Sequence, residues 1–385
     1  MGDRGAPAAY AGREQTYLKH RVLKEYLGPW AQKLGSTARY GQRRLWYVDC
    51  FAGLWRSQDP DGADTSVDIG LKALDEAIAT WRGDRGVPLN ARAIFVEADP
   101  GRANKLRALL GQRSGGVQAE VLEGEFGKNA PIIKERLGSD AAFLFVDPTG
   151  WKGADMAYIA ELVGRPFRDV LVNVMFDYLN RWVSAPLPFL REQMERFFGL
   201  RADQVPADLD ENALMAFYRG QMKQRCGIKW AADLAIPYPA SDRTFFRLVV
   251  GGQDPEVLRL FRNVEEGVVG HEAANVRESA KKRKQEVRTG QFAFDLPGPT
   301  LDERYRRMRD GDLPGAVDLV EHELRGRGPQ RFGDLWPQVL EGHHLTLRAL
   351  STAVLAAVRR RRFVAELGPR ERVLKDSHVL RLGAG

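Results

Sequence analysis

Several carboxylates in the first part of the chain directly follow short apolar runs, and that spacing is where chemistry could reside. Leu45-Trp46-Tyr47-Val48 runs into Asp49, Ala93-Ile94-Phe95-Val96 into Glu97, and Ala142-Phe143-Leu144-Phe145-Val146 into Asp147-Pro148. Val117 to Leu122 leads likewise into Glu123-Gly124-Glu125. Runs of this length and composition predict buried strands. In an open parallel sheet the carboxyl ends of the strands share one edge, and ligands bind there. Asp49, Glu97 and Asp147 therefore predict one acidic crevice, with Glu125 beside it. A carboxylate at the end of the second strand suits the two adjacent hydroxyls of a ribose, which makes Glu97 a candidate nucleoside ligand. The turn Phe51-Ala52-Gly53 and the loop Thr149-Gly150-Trp151-Lys152-Gly153 face the same edge.

Three readings of that crevice stay open. In the first, it holds a nucleoside cofactor through Asp49, Phe51, Ala52, Gly53, Glu97 and Glu125, while Asp147 and Trp151 present an acceptor for methyl transfer. In the second, Asp49, Glu97, Glu125 and Asp147 converge on Mg²⁺ or Mn²⁺, whose preference for oxygen they satisfy, and the site cuts a phosphodiester. Lys152 and Arg56 are then phosphate contacts. In the third, the crevice is inert and the chain is a binding partner, because Leu54-Trp55-Arg56 puts bulk where a cofactor loop needs small residues.

The elements that must position these residues follow from the same pattern. Thr16 to Leu34 has helical apolar spacing interrupted by Gly28-Pro29, which predicts a helix pair packed on the sheet. His20 lies beside its apolar face, either as a hydrogen-bonded packing residue or at the crevice rim. Helices are expected over 66–81, from the Asp99-Pro100 cap, through about Leu137, and over 154–163, with a fifth strand at 169–176. Two further strands, 229–237 and 244–250, follow a helical insertion at 185–226, and a last helix covers 255–268. The expected fold is α/β, a doubly wound, mostly parallel sheet of seven strands over residues 14–270.

The formal charge of the 385-residue chain is +7, and its distribution is uneven. Arg277 to Arg288 has six basic residues against two acidic, and 346–385 has nine against three. Such clusters fit a polyanion, DNA above all. The first cluster and Leu296-Pro297-Gly298-Pro299 mark a linker over 271–300. Beyond it, three helical patterns and two short apolar runs over 301–385 predict a winged helix-turn-helix, with Arg348 and Arg359 to Arg362 on its third helix and Arg370 and Arg372 on its wing. No apolar run approaches the roughly 20 residues of a membrane span, and the start of the chain lacks a signal-peptide pattern. Two cysteines, Cys50 and Cys226, fit a reducing cytoplasm, with Cys50 as a small buried thiol.

Asp49-Cys50-Phe51-Ala52-Gly53 resembles the D-x-F-A-G opening of class I S-adenosylmethionine-dependent base methyltransferases, and Asp147-Pro148 resembles the start of their catalytic loop. That resemblance implies S-adenosylmethionine, with Glu97 at the ribose and Glu125 near the adenine. The chain departs from that pattern at Leu54-Trp55-Arg56 and at Thr149-Gly150-Trp151. A closer resemblance, from about Lys19 to Val268, is to the three-Cys-motif partner proteins. Lys19, His20 and Leu23 match K-H-x-x-L, and F-x-E-x-D-P, F-x-D-P-x-G-W-K-G and Asn173 to Asn180 follow. Membership implies association with a separately encoded radical-enzyme-like protein carrying three cysteines.

Overall fold

The structure is a computed structural model and describes residues 6–40, 43–53, 65–150, 152–175, 188–206, 209–239, 241, 243–289, 301–368 and 371–383. Seven strands form the central sheet: β1 (Arg43–Asp49), β2 (Leu89–Glu97), β3 (Gln118–Glu123), β4 (Ala141–Val146), β5 (Arg168–Val174), β6 (Trp230–Pro237) and β7 (Thr244–Gly252). Their order is β3-β2-β1-β4-β5-β7-β6. Pairings among β3, β2, β1, β4 and β5 are parallel, whereas β7 runs against both β5 and β6. The sheet is therefore mixed. Its antiparallel part follows from chain length, because the few residues between β6 and β7 can close a hairpin but not a crossover.

Helix α1 (Glu14–Ser36) covers one face together with α2 (Ser66–Ile78) and α8 (Glu256–Glu265). The other face is covered by α4 (Phe126–Leu137), α5 (Met156–Leu162), α6 (Pro188–Phe198) and α7 (Glu211–Cys226). Helix α3 (Pro100–Gly111) starts as expected at the Asp99 cap, whose side chain accepts from Arg102 N. The expected break at Gly28-Pro29 is absent, and α1 is one helix with Pro29 inside it. A proline in a helix interior costs about 3 kcal/mol. Here Leu18, Val22, Leu23, Tyr26, Leu27, Trp30 and Ala31 form one buried stripe across that point, and their burial outweighs the lost hydrogen bond.

The basic run expected in a linker is helical and lies in α9 (Ala273–Thr289), reached from α8 through a π-type stretch at Glu266–Glu272. Residues 290–300, the rest of that expected linker, lie outside the described residues, as do 185–187 of the expected insertion. The C-terminal unit comprises α10 (Glu303–Arg327), β8 (Gln330–Arg331), α11 (Phe332–Gly342), α12 (Leu347–Arg359), β9 (Phe363–Ala365) and β10 (Val379–Leu382). Its small sheet is antiparallel in the order β8-β10-β9. Helix α10 is capped at its start by Asp302, whose side chain accepts from Arg304 N and Tyr305 N.

One apolar core runs from Tyr26, Phe143, Leu234 and Phe261 through Tyr305, Val320, Trp336, Leu350 and Leu380, so the C-terminal unit shares the core on the α1 face. A buried polar seam reinforces it. Arg262, 1 % exposed, donates from Nη1 to Glu265 (2.7 Å) and to the Asp233 carbonyl (2.8 Å), and from Nε to the Leu340 carbonyl (2.9 Å). Glu341 bonds Lys223 (2.8 Å) and accepts from Ala231 N (3.0 Å), tying α11 to α7 and β6. Burial pushes Glu265 up, but His344 and Arg262 outweigh it and hold the carboxyl below its usual range.

Candidate active site

Side chains alternate along a strand, so register decides what meets at the carboxyl edge. Asp49 lies opposite Phe95 of β2 and Phe145 of β4, and Phe145 lies opposite Leu171 of β5. Two residues beyond each partner come Glu97, Asp147 and Asn173. Those three and Asp49 therefore belong to the same face, the one covered by α1, in the order Glu97, Asp49, Asp147, Asn173. With neighbouring strands about 4.8 Å apart, the row spans about 14 Å.

Each member has its own partners. Asp49 is fully buried and accepts from Ser66 Oγ at the start of α2 (2.6 Å) and from Phe51 N (3.2 Å). Burial pushes its carboxyl up to about 7; the bonds from Ser66 and Phe51 oppose the rise, the Asp147 charge adds to it, and Lys19 pulls it back. Asp147 Oδ2 accepts from the Lys19 ammonium on α1, and Oδ1 accepts from Asn173 Nδ2 (2.6 Å). Lys19 is 6 % exposed, and its Nζ lies 4.9 Å from the centre of the Phe246 ring on β7. Asn173 is 1 % exposed, and its Oδ1 has no hydrogen-bond partner among the described residues. Glu97 Oε1 accepts from Asp99 N (2.8 Å) and lies 3.3 Å from an Arg102 nitrogen.

The loop after β4 closes over the turn after β1. Gly150 and Gly153 both adopt positive φ, and a Cβ at Gly153 would lie 3.4 Å from the Phe51 ring. Phe51 in turn packs on Phe126. Ala52 is buried and Gly53 half-buried beside them, while Lys152 is exposed. Trp151, Leu54, Trp55 and Arg56 lie outside the described residues.

The metal expectation is corrected. Among the described residues no group of three or more His, Cys, Asp or Glu side chains is placed to hold a metal ion, although Asp49, Glu97, Glu125 and Asp147 are all described. Strand order is the reason. Glu125 follows β3, three strands from β4, and its side chain is 66 % exposed beside Lys128. Asp147 and Asp49 are meanwhile occupied by Lys19, Asn173, Ser66 and the Phe51 amide. Glu125 does share the edge with Glu97, since Gly124 N donates to the Glu97 carbonyl (3.0 Å).

Cys50 is buried, and burial drives its thiol well above the ordinary value, as suits an inert packing residue. His20 is buried and hydrogen-bonded to the Tyr10 hydroxyl (2.9 Å). At the C-terminal unit, Arg348, Arg359, Arg360, Arg361 and Arg372 are exposed. Arg362 is already paired with Asp318 (2.6 Å) and Glu321 of α10, and Arg370 lies outside the described residues. Inspection of strand ends overlooks Ser66, and Lys19 and Asn173 are reached only through the family resemblance. The available signal is a lysine and a histidine in succession against the apolar stripe of an amphipathic helix.

The strand order, with only β7 reversed, fixes the fold class. This is an α/β fold, a mixed seven-stranded sheet with helices on both faces. A scan against protein-family models and a search of curated proteins give no match. Solved structures similar to this chain include a Legionella pneumophila protein (10 % identity, TM-score 0.33, 64 % of this chain and 91 % of that one). Human methyltransferase-like protein 13, solved with S-adenosylhomocysteine, aligns at 10 % identity and a TM-score of 0.31 over 65 % of this chain and 92 % of that one. A Pyrococcus horikoshii protein provisionally described as a transferase aligns at 13 % identity and a TM-score of 0.28 over 59 % of this chain; the match spans 64 % of that protein's length. Likeness this distant says nothing about activity. No helix among the described residues is long and apolar enough to cross a membrane.

Proposed function

We propose that this chain is an S-adenosylmethionine-dependent methyltransferase acting on nucleic acid. The observation that carries the reading is the row Glu97, Asp49, Asp147, Asn173, set on one face of four adjacent strands at the edge where such sheets bind ligands. The donor set suits the cofactor. Glu97 at the end of β2 suits vicinal ribose hydroxyls, and Asp49 pins the turn by accepting from Phe51 N. When bound, S-adenosylmethionine supplies an electrophilic methyl group on a sulfonium. Asp147, held from both sides by Lys19 and Asn173, orients the acceptor next to it.

The C-terminal unit supplies the nucleic-acid contact in this reading. Its order of helix, short strand, two helices and paired strands supports a winged-helix reading, and Arg348 and Arg359 lie eleven residues apart on α12, which returns them to one stripe of a 3.6-residue helix. Membership of the three-Cys-motif partner family, and association with its radical-enzyme-like partner, belong to the same proposal on the strength of the Phe145 to Gly153 motif. Calorimetry with S-adenosylmethionine, followed by label transfer to RNA and DNA, tests the reading. Binding with a 1:1 stoichiometry and label on nucleic acid are expected. Absence of cofactor binding by the full chain would overturn it.

A further inference from the structure

Asp147 already accepts two hydrogen bonds, whereas Lys19 has protons to spare. An exocyclic amine of a base brings two N–H groups and needs hydrogen-bond acceptors. Asp147 has used half of its acceptor capacity, because Oδ2 takes Lys19 and Oδ1 takes Asn173. A lysine ammonium has three donors and no acceptor, and only one donor is directed at Asp147. Donors held against an aromatic ring and away from water suit an atom on which negative charge develops, that is, an oxygen nucleophile. Asn173 supplies the complementary piece, since its buried Oδ1 lacks a partner among the described residues and is able to accept from a hydroxyl.

We infer that the acceptor is the ribose 2′-hydroxyl of RNA, and that Lys19 is a catalytic residue touching its oxygen. This rests on the methyl-transfer reading above. RNA is specified because its sugar, unlike that of DNA, carries a hydroxyl at every internal position. The hydroxyl oxygen forms a bond to the donor's methyl carbon as the carbon–sulfur bond breaks. The sulfonium becomes a neutral thioether, and the hydroxyl proton leaves through Asp147 to solvent. Lys19 stabilises the charge that grows on oxygen during the step, and Asp147 and Asn173 hold Lys19 and the acceptor in line.

The test uses the full chain with labelled S-adenosylmethionine and matched RNA and DNA oligonucleotides, followed by digestion to nucleosides. Label is expected in 2′-O-methyl nucleosides from RNA and not in DNA. Lys19→Met should lower transfer about a hundredfold or more, with Lys19→Arg losing less, while calorimetric affinity for S-adenosylmethionine stays within about twofold. Without the methyl donor, the wild type should bind RNA more tightly than DNA, and Lys19→Met should reduce that ratio toward one. Label on a base amine, equal transfer to DNA, or a Lys19→Met rate equal to wild type would each overturn the inference and leave the cofactor reading standing. Failure of the wild type to bind S-adenosylmethionine would remove both.

Discussion

Replacing Asp49 by asparagine should flatten the pH dependence of stability in a defined window. The carboxyl is fully buried, and burial lifts it to about 7 despite the bonds from Ser66 and Phe51. Its unfolded value is about 3.9. A carboxyl that binds its proton more tightly in the folded state favours folding when protonated, so its contribution is present at low pH. The loss begins as pH rises past about 4 and is complete above about 7. Three units at roughly 1.4 kcal/mol each amount to about 4 kcal/mol, of which about 2–3 kcal/mol falls between pH 5 and pH 8. Asp169 behaves alike: burial lifts it to about 7, the Tyr26 hydroxyl bond (2.7 Å) and Lys33 oppose the rise, and Asp254 adds to it. Asparagine fits the Asp49 position, since it can still accept from Phe51 N and can donate to Ser66 Oγ. Urea unfolding at a series of pH values should show the decline about halved in Asp49→Asn and largely gone in Asp49→Asn/Asp169→Asn. An Asp49→Asn protein that keeps the full wild-type slope would refute the reasoning.

Other outcomes follow from the same contacts. Glu97→Gln should weaken S-adenosylmethionine binding at least tenfold, about 1.4 kcal/mol by calorimetry, while the melting temperature hardly moves because Oε1 can still accept from Asp99 N. Arg262→Met should cost about 3–5 kcal/mol in urea unfolding, since it leaves Glu265 and the Leu340 and Asp233 carbonyls short of a donor in the core. Gly70→Ala should cost about 1–3 kcal/mol in thermal unfolding, because a Cβ there would overlap the Tyr47 ring.

The strands carrying Asp49, Glu97 and Asp147 were legible because each is a short apolar run ending in a charge, which is how a strand buried on both faces looks in one dimension. Their common face was not legible, because it depends on register between strands far apart in the chain. The reversal of β7 escaped for a related reason: apolar alternation at 229–250 marks strands but carries no direction. Local rules misled where tertiary packing overrode them, as at Pro29, where the buried stripe of α1 continues through a residue that usually ends a helix. The four-carboxylate metal site failed on strand order, which separates Glu125 from Asp147 although both follow a strand. Lys19 was hidden because a lysine on an apolar helix face resembles a snorkelling surface residue until its partner from β4 is known.

The seam that joins α8 to α11 has a consequence for how this molecule can be dissected or inherited. Cutting the chain before Glu303 would leave Arg262, Phe261 and Leu234 open to solvent, and a transplanted C-terminal unit would need a host with counterparts of Arg262, Lys223 and Glu265 to receive its Leu340, Glu341 and His344. The two halves are therefore expected to melt together, to resist exchange as separate cassettes, and to meet any third protein as a single body.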